Sequence, residues 1–247
     1  MTQTLRNFAR IYFLFLITST VYSATDSSEP DHDPRMITLI DEAQRLVEVK
    51  KPADAIRKCD QIIAAFTKRY RGSKEQIYCG REPVEKGAYL VKAVAENFKA
   101  GAEKRSATVL SSTWADAYFV KAYALQELDK LKEAQATLKL AVALPPFNSH
   151  YLNELGEVYQ LEKNWPKARE QFKAAEDNAS LAPHETKADD LARARRGSGY
   201  VFTELGDFDA AEKKYKECLA TNPNDITAQN ELEYIRRLRG KAKAKRE

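Results

Sequence analysis

The fold predicted from this sequence is an all-α solenoid of stacked helical hairpins. Three observations point there: a composition poor in helix breakers, a 34-residue period met three times, and small and large residues spaced within each period as two packed helices require. The 247 residues hold only nine Gly and nine Pro, below the usual ~7% and ~5%, against 35 Ala. Hydrophobic residues at 43% with 31% charged exclude a polytopic membrane protein and a disordered chain. Three Cys are too few for a disulfide scaffold.

From the amino end, residues 1–23 place Arg6 and Arg10 before an apolar run, Ile11 to Ile17, and then small and polar residues. This is the order of a secretory signal. Cleavage after Ser23 puts Val21 and Ser23 in the peptidase's small pockets. The apolar run is well short of the ~20 residues that span a bilayer, so a periplasmic or secreted protein is expected. Residues 24–35 are polar and acidic, a flexible lead-in, with the folded part expected from Met36.

Residues 36–69 read as a diverged helical hairpin, with Leu39, Ala43, Leu46, Pro52, Ala55, Cys59 and Ile62 at positions 4, 8, 11, 17, 20, 24 and 27. Residues 70–114 are the least regular stretch. Arg71-Gly72-Ser73 and Tyr78 to Pro83 break the chain, and Val84 to Leu110 is helix former apart from Gly87 and Gly101. One long helix or a degenerate hairpin fits, and the degenerate repeat is preferred. The clear period follows. Segment 115–148 carries Tyr118, Ala122, Leu125, Leu131, Ala134, Leu138, Ala141 and Pro146. Segment 149–182 carries Leu152, Leu155, Gly156, Tyr159, Trp165, Ala168, Phe172 and Ala175. Segment 192–225 carries Gly199, Phe202, Leu205, Phe208, Ala211, Tyr215, Cys218 and Pro223. Positions 4, 7, 8 and 11 share one face of a first helix, and 17, 20, 24 and 27 one face of a second. Small residues at 8 and 20 let the two backbones approach. The spacer Pro183 to Leu191 contains no breaker after Glu185 and extends the following helix backward. Residues 226–240, with Leu232, Ile235 and Leu238, form a capping helix, which a solenoid needs to cover its last apolar side. Residues 241–247 are a basic tail.

At these positions the sequence resembles the tetratricopeptide repeat family, whose pattern is Gly/Ala at 8, aromatic at 11, Ala at 20, aromatic at 24, Ala at 27 and Pro at 32. The resemblance spans residues 36–240 and implies a right-handed superhelix of hairpins, no catalytic activity, and a protein or peptide partner bound on a concave face. It assigns that face to first-helix positions 2, 5, 9, 12 and 13, which here include Phe119, Tyr123, Gln126, Asn153, Glu157, Gln160, Arg193, Arg196, Tyr200 and Thr203. Family members that clamp a terminal carboxylate use Lys, Asn and Arg in this groove. Ile40 and Gln44 of the first repeat do not match, although Arg193 and Arg196 remain candidates for an acidic ligand.

Chemistry beyond binding finds little support. His32, His150 and His184 have no ligand-spaced partner, so no metal is expected, nor a cofactor. There is no G-x-S-x-G and no P-loop, and Gly197-Ser198-Gly199 falls within a helix, where small residues serve packing. Cys59 and Cys218 occupy core positions. Cys79 lies at a chain break, so a Cys59–Cys79 disulfide and three free thiols are both open. The C-terminal run from Arg236 to Glu247 has seven positive charges and one negative. It reads as a solvated tail with at most weak contact to an anionic surface, and no nucleic acid partner is expected. Removing this run and the two arginines of the signal from the net +4 leaves residues 24–235 at −4. The function expected is a protein-binding adaptor or assembly factor of the cell envelope. The alternatives are a structural subunit that self-associates through its solenoid ends, or an accessory module of an envelope enzyme.

Overall fold

The computed structural model of the chain describes residues 29–100 and 105–244; the expected signal at 1–23 and the last three residues of the tail lie outside them. After a 3-10 turn at Pro30–His32, α1 (Pro34–Glu48) and α2 (Pro52–Tyr70) form the first hairpin. Three more follow: α4 (Thr113–Glu127) with α5 (Leu131–Ala143), α6 (Ser149–Leu161) with α7 (Trp165–Asn178), and α8 (His184–Glu204) with α9 (Phe208–Thr221). Helix α10 (Ile226–Ala244) packs mainly on α9. The spacer is therefore helical from His184, two turns ahead of the repeat proper. From Glu29 onward the lead-in, expected to be flexible, is anchored, since Glu29 pairs with Arg69 and Asp31 accepts from the Ser111 backbone N–H at 2.9 Å.

One turn closes all four hairpins. Lys50, Asp129, Lys163 and Gly206, each at repeat position 15, have φ between 56° and 77°. At each, paired backbone bonds tie off the first helix: Lys130 N–H donates to Leu125 O at 2.9 Å and Asp129 N–H to Gln126 O at 2.9 Å, with equivalents at Lys51/Lys50, Asn164/Lys163 and Asp207/Gly206. This is a Schellman closure, which satisfies carbonyls that a helix end otherwise leaves orphaned. The next residue, Asn164 or Asp207, then caps the second helix by accepting from the N–H three residues on.

Within the hairpins the small positions lie beneath rings. A β-carbon on Gly156 would stand 2.8 Å from the Phe172 ring, one on Gly199 2.7 Å from Tyr215, and one on Gly197 2.4 Å from Phe172. Phe172 is thus wedged between the first helix of its own repeat and that of the next. Ala43, Ala55, Ala122, Ala134, Ala168 and Ala211 are buried at the equivalent positions.

The degenerate repeat expected over 70–114 is replaced by a strand–helix–strand insert: β1 (Gln76–Cys79), α3 (Pro83–Ala100) and β2 (Ala107–Leu110). The strands pair in parallel, Gln76 with Ala107 through Cys79 with Leu110. The physical reason is local. The runs Gln-Ile-Tyr-Cys and Ala-Thr-Val-Leu favour extended chain, and the breaks at Gly72 and Gly80 free both ends of β1. Helix α4 packs directly on α1 and α2, so the insert leaves the stacking intact. It is pinned to the end of the second repeat, with Cys79 N–H donating to Leu144 O at 3.1 Å and Tyr89 stacked on Phe147 at 5.3 Å.

The Cys59–Cys79 bond does not form. All three cysteines are free and buried, and Cys59 and Cys79 share the main apolar core. Burial pushes the Cys59 thiol up to about 12, as expected of a core residue and not of a reactive thiolate.

Candidate protein-binding face

First-helix residues expected to line the groove divide into two sets. One set is consumed inside the protein. Phe119 is buried, its ring flat against Tyr151 at 4.5 Å and tilted against His150. Asn153 is buried and donates to Asp190 O at 2.9 Å. Gln160 donates to Gly197 O at 3.3 Å, and buried Thr203 to Gly199 O at 3.0 Å. The two arginines are also taken. Arg193 binds Glu154 at 2.6 Å and Glu157 at 2.5 Å, and Arg196 binds Asp225 at 2.7 Å, the residue that caps α10 through the Ala228 N–H. The expectation that Arg193 and Arg196 serve an acidic ligand is therefore corrected, because each already neutralises a carboxylate across a helix seam.

The second set stays accessible. Tyr200 is 41% exposed, with its ring tilted against Trp165 at 6.3 Å. Its hydroxyl is pushed up by burial, then by the fields of Glu204, Glu231 and Tyr234. Half-buried Tyr123 is raised in the same way, by burial and then by Glu154 and Glu127, with Arg193 opposing. Gln126 is half-buried, and Leu161 is largely exposed. What remains on the face is two tyrosines, an amide and a leucine beside a net negative charge, since Arg193 offsets only one of its two glutamates while Lys50 pairs with Glu127.

A buried polar chain runs along the amino ends of these helices, and sequence reasoning missed it. Glu85, fully buried, accepts from Arg81 N–H at 2.8 Å and from the Tyr89 hydroxyl at 3.0 Å. Tyr151 donates to Asp116, and Asp190 accepts from Ser149 at 2.7 Å with His150 3.6 Å away. Burial alone would raise Asp190, yet His150 and Ser149 hold it below the usual carboxylate range. No signal in the sequence marked these acids: Glu85 stands between Val84 and Lys86, and Asp190 between Asp189 and Leu191. Among the described residues no group of three His, Cys, Asp or Glu could hold a metal, and no helix is long and apolar enough to cross a membrane.

Stacked helical hairpins that spend one helix face on internal seams and leave a stripe of side chains accessible define a helical-repeat scaffold. Two family models described as tetratricopeptide repeat match the chain, over residues 115–148 and 148–224, so the chain carries tetratricopeptide repeats over residues 115–224. This fold is one that serves protein–protein interaction. No curated protein matches the sequence. Similar solved structures include the N-terminal domain of stress-induced protein-1 from C. elegans (19% identity, 51% of this chain and 96% of that one, TM-score 0.44). MamA (20%, 77% and 81%, 0.48) and YrrB, described as a TPR protein with an unusual peptide-binding site (18%, 79% and 90%, 0.40), are others. At these identities and TM-scores they say nothing of what this chain binds.

Proposed function

We propose that the protein is a non-enzymatic scaffold of the cell envelope that holds an extended, lysine- or arginine-bearing segment of a partner protein across its first-helix face. One observation carries this reading: Tyr123 and Tyr200 stand among glutamates while the arginines of the same face are already paired. A cation over an exposed tyrosine ring contributes about 0.5–1 kcal/mol, and surrounding carboxylates favour its approach. The −4 charge of residues 24–235 acts in the same direction. Replacing Tyr123 and Tyr200 together with Ala is expected to abolish partner recovery from an envelope extract while the far-ultraviolet circular dichroism stays native. Unchanged recovery from a folded variant would contradict the reading.

The envelope assignment rests on the signal-like order of residues 1–23. Amino-terminal sequencing of the protein from its host should begin at Ala24. A chain still beginning at Met1 in the cytosolic fraction would overturn it.

A further inference from the structure

A helix lying on a protein surface normally turns a polar face to water, and α3 does the reverse. Its inner side, Glu85, Tyr89 and Ala93, is buried against the insert. Its outer side is apolar throughout, with Val84, Leu90, Val91, Val94 and Phe98 all largely exposed, Val91 to 70% and Phe98 to 82%. Val84, Gly87, Val91, Val94 and Phe98 follow the i, i+3, i+7, i+10, i+14 spacing of a helix–helix seam. Above Gly87 the space is open, with no atom within 4 Å of a β-carbon placed there. The helix thus carries a projecting ring near one end and a gap near the other.

We infer that α3 pairs antiparallel with α3 of a second copy of this chain, each Phe98 seating over Gly87 of the other. Area and charge select this occupant. The stripe leaves on the order of 500 Å² of apolar surface, near the top of the ~300–600 Å² found for the largest patch on a monomer. Two stripes together bury about 1,000 Å², the lower bound for a specific interface, so the association is a weak, reversible one. No charged residue lies on the stripe. Glu82 precedes its amino end and Lys99 follows its carboxyl end. An antiparallel pair set by Phe98 over Gly87 places each Glu82 about one helical turn from Lys99 of the other copy and opposes the two helix dipoles. A parallel pair would set Glu82 beside Glu82 and Phe98 against Phe98.

Sedimentation velocity of the purified mature chain, Ala24 to Glu247, from about 1 to 100 μM tests the pairing. The expected result is a monomer–dimer equilibrium that Val91→Glu and Phe98→Glu each shift to monomer without change in helicity. Both side chains are mostly in water in the monomer, so these variants should fold. A Gly87→Cys/Phe98→Cys variant should form an intermolecular 87–98 disulfide on mild oxidation. A monomer across the whole range, a dimer indifferent to both glutamates, or 87–87 and 98–98 linkages would overturn the inference. So would a monomer that binds vesicles of anionic phospholipid through this stripe, which would give the stripe a different occupant.

Discussion

At the scale of single residues, the repeats differ in how well they meet one backbone demand. Position 15 must adopt positive φ in every hairpin. Gly206 does so freely, whereas Lys50, Asp129 and Lys163 carry a β-carbon into a region that costs L-residues about 1–2 kcal/mol. Lys163→Gly should therefore stabilise the protein by about 0.5–1 kcal/mol, and Gly206→Ala should destabilise it by a similar amount, both read as shifts of the urea midpoint at constant m-value. Arg193 is the second residue with a sharp expectation. Burial alone would raise Glu154, but Arg193 and His150 hold it below the ordinary carboxylate range. A carboxyl so lowered contributes stability that is complete at neutral pH and lost as pH falls below about 4. Arg193→Gln should cost about 2–3 kcal/mol at pH 7, less than breaking a fully enclosed pair because these groups keep some contact with water. The deficit should shrink at pH 4, where Glu154 can protonate. An equal cost at both values would show that the pair is not what holds α6 to α8.

Among the elements, the wedge of Phe172 between α6 and α8 makes the packing across that seam unforgiving. Gly197→Ala places a methyl carbon where the ring already stands and should cost about 1–3 kcal/mol. Pairing it with Phe172→Leu should restore part of that loss, and additive thermal shifts would show that the two positions do not share one space. The four hairpins and the cap were legible because small residues at 8 and 20 and large ones at 11 and 24 repeat at a fixed interval, as Gly156, Ala168 and Phe172 do. The insert was not. Strands of four residues offer too short a pattern to set against a helical alternative, and α3 is a good helix former whichever neighbours it has. Nothing in the sequence marks its Val91 and Phe98 as exposed, because sequence reports that a face is apolar and not whether anything covers it.

On the scale of the whole molecule, stacking decides which side chains remain for a ligand. Projecting the family's groove positions onto the first helices named several residues that the stacking consumes. Asn153 and Thr203 are interior, and Arg193 and Arg196 hold neighbouring helices together, a fate set by contacts between repeats that no single-repeat pattern contains. Tyr200 is exposed and Tyr123 half-buried, each near an acid of its own helix, Glu204 or Glu127, and one of another helix, Glu231 or Glu154. Partner binding should accordingly weaken as salt is raised from about 50 to 300 mM, because exposed charges are screened over that range. Site-specific photo-crosslinking in the native host tests the central claim most directly. A photoreactive residue at position 200 is predicted to capture one partner through a segment rich in Lys or Arg, and the same group at Lys173, on the exposed side of α7, to capture none. Capture from position 173 with none from position 200 would contradict the account.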